Sequence, residues 1–173
     1  MQETSDPSFR MIENLMFVLT LCSAIGCGLM AGVFFGFSTF VMKALARLPP
    51  AQGIAAMQSI NVAVINPAFM AAFLGTAAAC FALAVSSLLK WHTPGAVYLL
   101  PGSLLYLLGC LLVTMVFNVP RNDALAAVDP TSTAGAELWR GYVIGWTAWN
   151  HVRTAACLAA AALLTLALLK NSA

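Results

Sequence analysis

The sequence predicts an all-α integral membrane protein, a four-helix bundle with short interfacial helices in its first and third connections. Of its 173 residues, 61% are hydrophobic and 8% are charged, whereas a soluble domain carries about 25% charge. The few charges are separated by uncharged stretches, of which three cover residues 14–42, 48–89 and 91–120. A membrane-spanning helix needs about 20 apolar residues, so each of these stretches is long enough to cross a bilayer.

Four spans are predicted, near residues 14–44, 67–90, 96–118 and 146–170, in a single transmembrane domain that covers residues 14–173. Residues 1–13 are predicted to form a polar, frayed tail. The first apolar run is far longer than a signal-peptide core of about 7–15 residues, so helix 1 is expected to stay in the protein. The last uncharged stretch, 154–169, is short, because an α-helix from Arg153 to Lys170 rises only about 25 Å against about 30 Å of hydrocarbon. The fourth span must therefore include part of the phrase WTAWNHVRT, which ends at Thr154.

The first connection contains about 16 helical residues, too few to span, between Pro50 and the Asn66-Pro67 pair. We expect it to lie along the membrane interface or to fold over the mouth of the bundle. The second connection, KWHTPG, is predicted to be a tight turn with Trp91 at headgroup depth.

In the third connection, Pro120 is expected to stop helix 3 and a short helix to follow. The segment DPTSTAG breaks that helix, and a second helix begins near Ala134 and can run into helix 4.

The net charge of +2 is small and dispersed, and the chain has no basic run, so nucleic acid is not an expected partner. The expected surroundings are the lipid bilayer, and the expected location is the cytoplasmic membrane of a bacterium, with several spans. The basic residues on the two faces differ too little in number for the positive-inside rule to fix the orientation.

No metal site or resident cofactor is predicted. The five cysteines stand singly within apolar runs, without a CxxC pair, and are interpreted as small packing residues. The two histidines, His92 and His151, belong to opposite faces of the predicted bundle, so a protein-ligated zinc or iron centre would need an unusual ligand set. A haem held by His151 alone stays open.

Helix 1 carries Gly28, Gly32 and Gly36 at four-residue spacing. Small residues at this spacing let helix backbones approach closely in lipid. We favour packing within the bundle for this face, and the alternative is a homo-oligomer formed through the same glycines.

Polar side chains gather where four predicted helices reach one face of the membrane. FNVPRND ends helix 3, WTAWNHVRT begins helix 4, INP begins helix 2 and FSTFVMK ends helix 1. The opposite face has little beyond Lys90 and His92. Because ionisable groups inside a membrane are costly, this asymmetry predicts a functional site at the mouth.

Helical spacing places a row of aromatic and basic residues on the wall of this site. Trp139, Tyr142, Trp146, Trp149 and Arg153 form one predicted stripe, with Asn150 one turn from Trp146 and from Arg153, and His151 about 100° round from Asn150. Flat rings beside an amide, an imidazole and a guanidinium suit a planar, partly polar ligand.

Each candidate residue also has a purely structural interpretation. Asn66 before Pro67 is a good N-cap, and Asn118 and Asn122 flank the proline at a helix end. Trp146 and Trp149 suit an interfacial aromatic belt, Arg153 can snorkel to the interface, and His151 can make a structural hydrogen bond.

The phrases GVFFGFSTFVM, INVAVINPAFM, FNVPRNDAL and WTAWNHVRT resemble the anthrone oxygenase-like family (DUF1772) over about residues 14–170. The resemblance implies a small four-helix membrane protein that oxidises a fused-ring phenol with O₂, of the anthrone-to-anthraquinone type, without a classical redox cofactor. The implied partner is therefore a lipophilic aromatic small molecule. The positions that match are Asn66, Asn118, Asn122, Trp149, Asn150, His151 and Arg153.

On this hypothesis His151 is the catalytic base and Arg153 stabilises the developing oxyanion, because carbanion formation needs both functions. Asn66, Asn118, Asn122 and Asn150 would hold the substrate, with Trp146 and Trp149 stacking on its rings. Two alternatives stay open. The protein could be a non-enzymatic membrane binder or carrier of a quinone-like molecule or a subunit of a larger assembly, or the polar mouth could be only a clasp between helix ends.

Overall fold

The computed structural model describes residues 7–90 and 95–171, and these residues are helical apart from short turns. Within the described chain, four helices are long and apolar enough to cross a membrane, and they cover Arg10–Leu45, Pro67–Leu89, Ala96–Ala126 and Thr133–Lys170. The predicted fold class, an all-α integral membrane bundle of four helices, is confirmed.

The first half of the chain supplies two spans and a short helix between them. Its elements are α1 (Pro7–Gly36), a π-helical segment π1 (Phe37–Val41), α2 (Met42–Leu45), α3 (Pro50–Ala63) and α4 (Pro67–Leu89). The chain from α1 through α2 forms one continuous span. Both α3 and α4 begin with proline at their first position, where the missing N–H costs no helical hydrogen bond.

The second half of the chain consists of two long helices joined by a short turn. Its elements are α5 (Ala96–Tyr106), π2 (Leu107–Leu112), π3 (Thr114–Asn118), α6 (Val119–Ala126) and α7 (Thr133–Asn171). The third span runs without interruption from α5 through α6. At 39 residues, α7 is about 58 Å long and extends well beyond the hydrocarbon.

The centre of the bundle is packed with small residues from all four spans. Cys27, Cys80, Cys110 and Cys157 are buried around Tyr106, whose hydroxyl donates to the carbonyl of Phe73 at 3.0 Å. All five cysteines are free, and the interpretation of the buried four as small packing residues is confirmed.

The short helix α3 covers the mouth of the bundle. Its Ile54 and Met57 are buried, and the Gln58 amide donates to the carbonyls of Leu125 and Val128 at 2.8 and 3.2 Å. Of the two predicted placements for this connection, the structure shows the one in which it folds over the mouth.

The expectation that Pro120 stops helix 3 is wrong. Val119 and Pro120 open α6, which continues the third span to Ala126. Two π-helical segments precede the proline, and their wider turn gives its ring room that a regular α-helix lacks. Arg121 also donates to the carbonyl of Phe117 at 2.6 Å and satisfies an acceptor near the proline.

The favoured interpretation of the glycine face, packing within the bundle, is wrong for two of its three residues. Gly28 and Gly32 are exposed on the outside of α1, and a Cβ atom at either position would meet nothing within 4 Å. A Cβ atom at Gly36 would contact the ring of Phe40, which lies in π1 of the same span. The homo-oligomer through these glycines stays a prediction.

One boundary differs from the predicted one, because helix α1 begins at Pro7 and residues 7–13 are helical. The helix expected near Ala134 begins at Thr133 and runs into the fourth span, which agrees with the prediction. Trp91 and His92 of the predicted turn lie outside the described residues.

Candidate functional site

A cavity of about 710 Å³ lies at the mouth of the bundle, beneath α3. Ligand pockets for drug-sized molecules fall in the range of about 300–1,000 Å³. The wall is mostly apolar, with Val33, Phe34 and Phe37 from the end of the first span, Phe69, Met70 and Phe73 from α4, and Leu111 and Met115 from the third span. The polar residues that line it are Gln58, Asn61, Thr114, Asn118, Asn122, Asp123 and Arg153.

Arg153 carries the only buried charge among residues 7–90 and 95–171, with 5% of its surface exposed. Its guanidinium donates to Asn150 Oδ1 at 2.6 Å and to Thr114 Oγ1 at 3.1 Å. Its central carbon lies 4.2 Å from the ring centroid of Phe34 and 5.1 Å from that of Trp146. These contacts hold the cation between aromatic faces, an arrangement favourable to a desolvated arginine. The partners are neutral, so the positive charge is not compensated by a carboxylate within the described site.

Asn150 fixes the position of Arg153. It is completely buried, and its amide nitrogen donates to the carbonyl of Phe34 and to the hydroxyl of Ser38, both at 2.6 Å. With both donor bonds directed to the first span, its oxygen is turned towards Arg153. Asn150 therefore ties α7 to the start of π1 and presents the acceptor that orients the guanidinium.

A second hydrogen-bonded unit holds the aromatic wall. The side-chain oxygen of Asn122 accepts from the hydroxyl of Tyr142 at 2.8 Å and from the indole nitrogen of Trp146 at 2.9 Å. Tyr142 stacks on Trp139 with ring centroids 5.5 Å apart, and on Trp146 at 6.4 Å. The predicted stripe on helix 4 exists in this part, and Asn122 sets the angles of two of its rings.

Three buried polar atoms on residues that line the cavity have no hydrogen-bond partner. They are Arg153 Nε, Asn118 Oδ1 and Asn61 Nδ2. The other end of the Asn118 amide donates weakly, at 3.3 Å, to the carbonyl of Trp146. Buried polar groups are nearly always satisfied in folded proteins. Three residues of one cavity wall thus carry an unsatisfied donor, an unsatisfied acceptor and an unsatisfied cationic donor, each of them buried.

The structure brings five of the eight predicted site residues together. Arg153, Trp146, Asn118 and Asn122 line the cavity, and Asn150 lies directly behind Arg153.

The other three predicted residues, His151, Trp149 and Asn66, do not line it. His151 is exposed on the outside of α7. Trp149 stacks on Phe117 with ring centroids 3.5 Å apart. Asn66 is the N-cap of α4, and its side chain accepts from the backbone N–H of Phe69 at 3.0 Å.

Helical geometry explains why His151 and Trp149 point elsewhere. His151 is two residues from Arg153, which places the two side chains about 200° apart around the helix axis. Trp149 lies about 60° round the helix from Trp146 and about 40° from Arg153. Side chains that are close in the sequence therefore point in different directions, and His151 is not in a position to act as the base in this cavity.

Sequence reasoning missed several residues of the cavity, including Phe34, Thr114, Gln58 and Asn61. The sequence contains a signal for Thr114, because this residue lies one helical turn before Asn118 on the same face of the helix. Phe34 has none, since it is one of many phenylalanines in an apolar run and matters through the face it turns to Arg153.

No group of three or more histidine, cysteine, aspartate or glutamate side chains suited to a metal ion occurs within the described chain. The titratable residues that line the cavity are Arg153 and Asp123. Thr114, which contacts Arg153, is nine residues from Asp123, a distance of about 13 Å along a helix. The two charges therefore sit at different depths.

Fold and cavity together define a multi-pass membrane protein with an aromatic-lined cavity and an uncompensated arginine at its inner end. The family model described as anthrone oxygenase matches residues 68–163, which is more than half of the chain. This part contains all of α4 but its first residue, the third span and Arg153. The chain belongs to the anthrone oxygenase family. No curated protein and no solved structure matches it.

Proposed function

We propose that the protein binds a flat fused-ring phenol of the anthrone class in this cavity and promotes its oxidation by O₂. The observation that carries the proposal is the buried, uncompensated charge of Arg153, held between the faces of Phe34 and Trp146. An anionic oxygen on an aromatic ring would meet the cation there, and the flanking rings would contact the flat skeleton of the ligand.

The chemistry of the substrate class fits such a site. Loss of a proton from the ring CH₂ group of an anthrone places negative charge on the carbonyl oxygen opposite and makes the ring carbon electron-rich. That carbon adds O₂, and protonation yields a hydroperoxide. Loss of water then leaves a second carbonyl, so one oxygen atom enters the quinone and the other leaves as water with both hydrogens of the former CH₂ group.

In this scheme Arg153 acts on the oxyanion. A fixed cation at a desolvated position lowers the energy of the enolate and of the transition state that leads to it. The unsatisfied amide groups of Asn118 and Asn61 are buried, and a change of side-chain rotamer on binding would offer them as an acceptor and a donor to phenolic hydroxyls. We do not assign the proton acceptor to His151, because its side chain lies on the outer face of α7.

The proposal is tested by oxygen consumption in detergent-purified protein with emodin anthrone as the substrate. Wild-type protein is expected to accelerate oxygen uptake over a protein-free control. Arg153→Met should lose most of that acceleration, because the oxyanion loses its cation. His151→Ala should retain it, because the side chain lies outside the cavity.

Each variant also has an outcome against the proposal. Full activity in Arg153→Met would remove the oxyanion role. Loss of activity in a folded His151→Ala protein would return the role of base to the histidine and contradict the placement argument.

A second function, non-enzymatic binding or carriage of a quinone-like molecule, is favoured by one specific observation. Of the described residues that line the cavity, Asp123 is the one carboxylate, and it lies about 13 Å along the helix from the level of Arg153. A carrier needs the cation and the aromatic walls but no base. Saturable binding of emodin without any acceleration of anthrone oxidation would support this function over the first.

A further inference from the structure

The cavity has an opening at the side of the bundle. Seven residues that line the cavity are also exposed, and these are Val62, Ile65, Leu74, Met115, Val119, Asp123 and Ala126. The first five are large and apolar, with between 40% and 75% of their surface exposed, so the part of the rim that they form is suited to hydrocarbon and unsuited to water. Asp123 lies one turn beyond Val119, at the end of the rim nearest the third connection.

Two helices frame this opening. Leu74 stands on α4, and Met115 and Val119 stand one turn apart on the third span. Helix α4 packs against the first part of the third span, α5 and π2. The opening lies between α4 and the later part of that span, π3 and α6. Leu74 is seven residues after Pro67, the first residue of α4, which is about 10 Å along the helix, so the opening reaches into the membrane.

The route from the aqueous face is covered. Helix α3 lies over the mouth with Ile54 and Met57 buried beneath it. Gln58 fastens it to the end of α6 through two carbonyls. A molecule entering from water meets this helix and the exposed carboxylate of Asp123, whereas a molecule dissolved in the bilayer meets the apolar side chains of Leu74, Met115 and Val119.

We propose that the cavity exchanges its ligand directly with the bilayer through the opening between α4 and the third span, and this opening is here called the lateral portal. The occupant is the flat, lipophilic phenol of the proposed function, on which this inference rests. It enters edge-on from the hydrocarbon, and its oxygen-bearing end moves inward to Arg153 while its apolar edge stays near Leu74 and Met115.

The portal is tested by stopped-flow binding of emodin, premixed in liposomes, to the protein in proteoliposomes. Ionisation of the phenol beside Arg153 changes its absorbance and reports occupancy. The obstructing variant is Leu74→Trp combined with Met115→Trp. The matched control is Val85→Trp combined with Leu112→Trp, on the same two helices at lipid-exposed positions that do not line the cavity.

The obstructing variant is expected to slow association and dissociation by about tenfold, equivalent to about 1.4 kcal/mol of barrier. Its equilibrium affinity should change much less, because the oxyanion end of the site is untouched. The control should keep wild-type rates. A widened portal, Leu74→Ala with Met115→Ala, should speed both steps, which keeps the test independent of whether bulky residues disturb folding.

The association rate should follow the mole fraction of emodin in the membrane and not its aqueous concentration. Equal rates in the obstructed, widened and control proteins would refute the portal while leaving the proposed function intact. Absence of saturable emodin binding in the wild-type protein would refute the proposed function, and the portal with it.

Discussion

The substitution Arg153→Met separates a ligand site from a clasp between helix ends. Methionine keeps an unbranched side chain of similar reach and removes the charge. If the polar mouth exists to bind an oxyanion, ligand affinity should fall while the fold persists. If the mouth is a clasp, the fold should weaken and there should be no ligand affinity to lose.

The size of the effect on stability follows from the contacts of Arg153. Without the guanidinium, the buried Asn150 Oδ1 lacks the donor that lies 2.6 Å from it in the wild-type protein, and this costs about 1–3 kcal/mol. Removing an uncompensated buried cation contributes several kcal/mol in the opposite direction. The two effects offset, so the free energy of unfolding should change by no more than about 2 kcal/mol.

The expected effect of Arg153→Met on ligand binding is larger, and it is a loss of affinity. An anionic ligand loses at least one charge-assisted hydrogen bond, worth about 1.5–3 kcal/mol, so its affinity should fall about 10- to 150-fold. Emodin titration in proteoliposomes measures this quantity, and unfolding in a denaturing detergent measures the stability of the same preparation.

The reasoning would be refuted by the opposite pair of results. A destabilisation of more than about 3 kcal/mol, the value for a broken buried ion pair, together with unchanged emodin affinity would show that Arg153 is a structural fastener. Arg153→Lys supplies the control for charge alone, because lysine keeps the cation and loses the planar fork.

Three further substitutions test individual contacts. Asn122→Ala removes the acceptor of the Tyr142 hydroxyl and the Trp146 indole, so it should lower the free energy of unfolding by about 1–3 kcal/mol for each of these two donors. Asn122→Asp keeps an acceptor oxygen and should lower the free energy of unfolding by less. Equal losses in the two variants would contradict the hydrogen-bond argument. Gly109→Ala should destabilise the bundle by about 1–3 kcal/mol in an unfolding assay, because the new Cβ would overlap the side chain of Ala156. Gly75→Ala is the control, because a Cβ atom at that position has open space, and it should leave the free energy of unfolding unchanged. Gln58→Leu should loosen α3, seen as faster backbone hydrogen exchange in α3 with little change in α4, and unchanged exchange would show that packing alone holds this helix.

Much of the fold and part of the site could be predicted because the bilayer limits the possibilities. Hydrophobic length fixes the spans, and a short helical connection must fold back at the surface. The convergence of helix ends then brought Arg153, Trp146 and Asn118 to one mouth, since adjacent spans run in opposite directions. That argument depends on topology alone, and it holds for these three residues but not for Asn66, which caps α4 and does not line the cavity.

The missing parts depend on angles within a helix, which spacing determines only when the winding is regular. His151 was grouped with Arg153 because they are close in sequence, although two residues of helix place them on nearly opposite faces. Pro120 was expected to end a span because an α-helix does not tolerate proline, and the wider π-helical turns before it were not foreseen.

The π-helical segments π1 and π3 flank the cavity on two different spans. An i→i+5 hydrogen bond encloses one residue more than the i→i+4 bond of an α-helix, so each such turn is equivalent to a single-residue insertion absorbed by the backbone. Deleting one residue from Thr114–Asn118 would restore regular winding and cost no backbone hydrogen bond. The parts of the span on either side would keep their orientation, because the turn holds that one extra residue, but the side chains within the turn would point in new directions and the spacing between Thr114 and Asn118 would change. The length of these spans, to the single residue, is thus as much a determinant of ligand recognition as the identity of any side chain in the cavity.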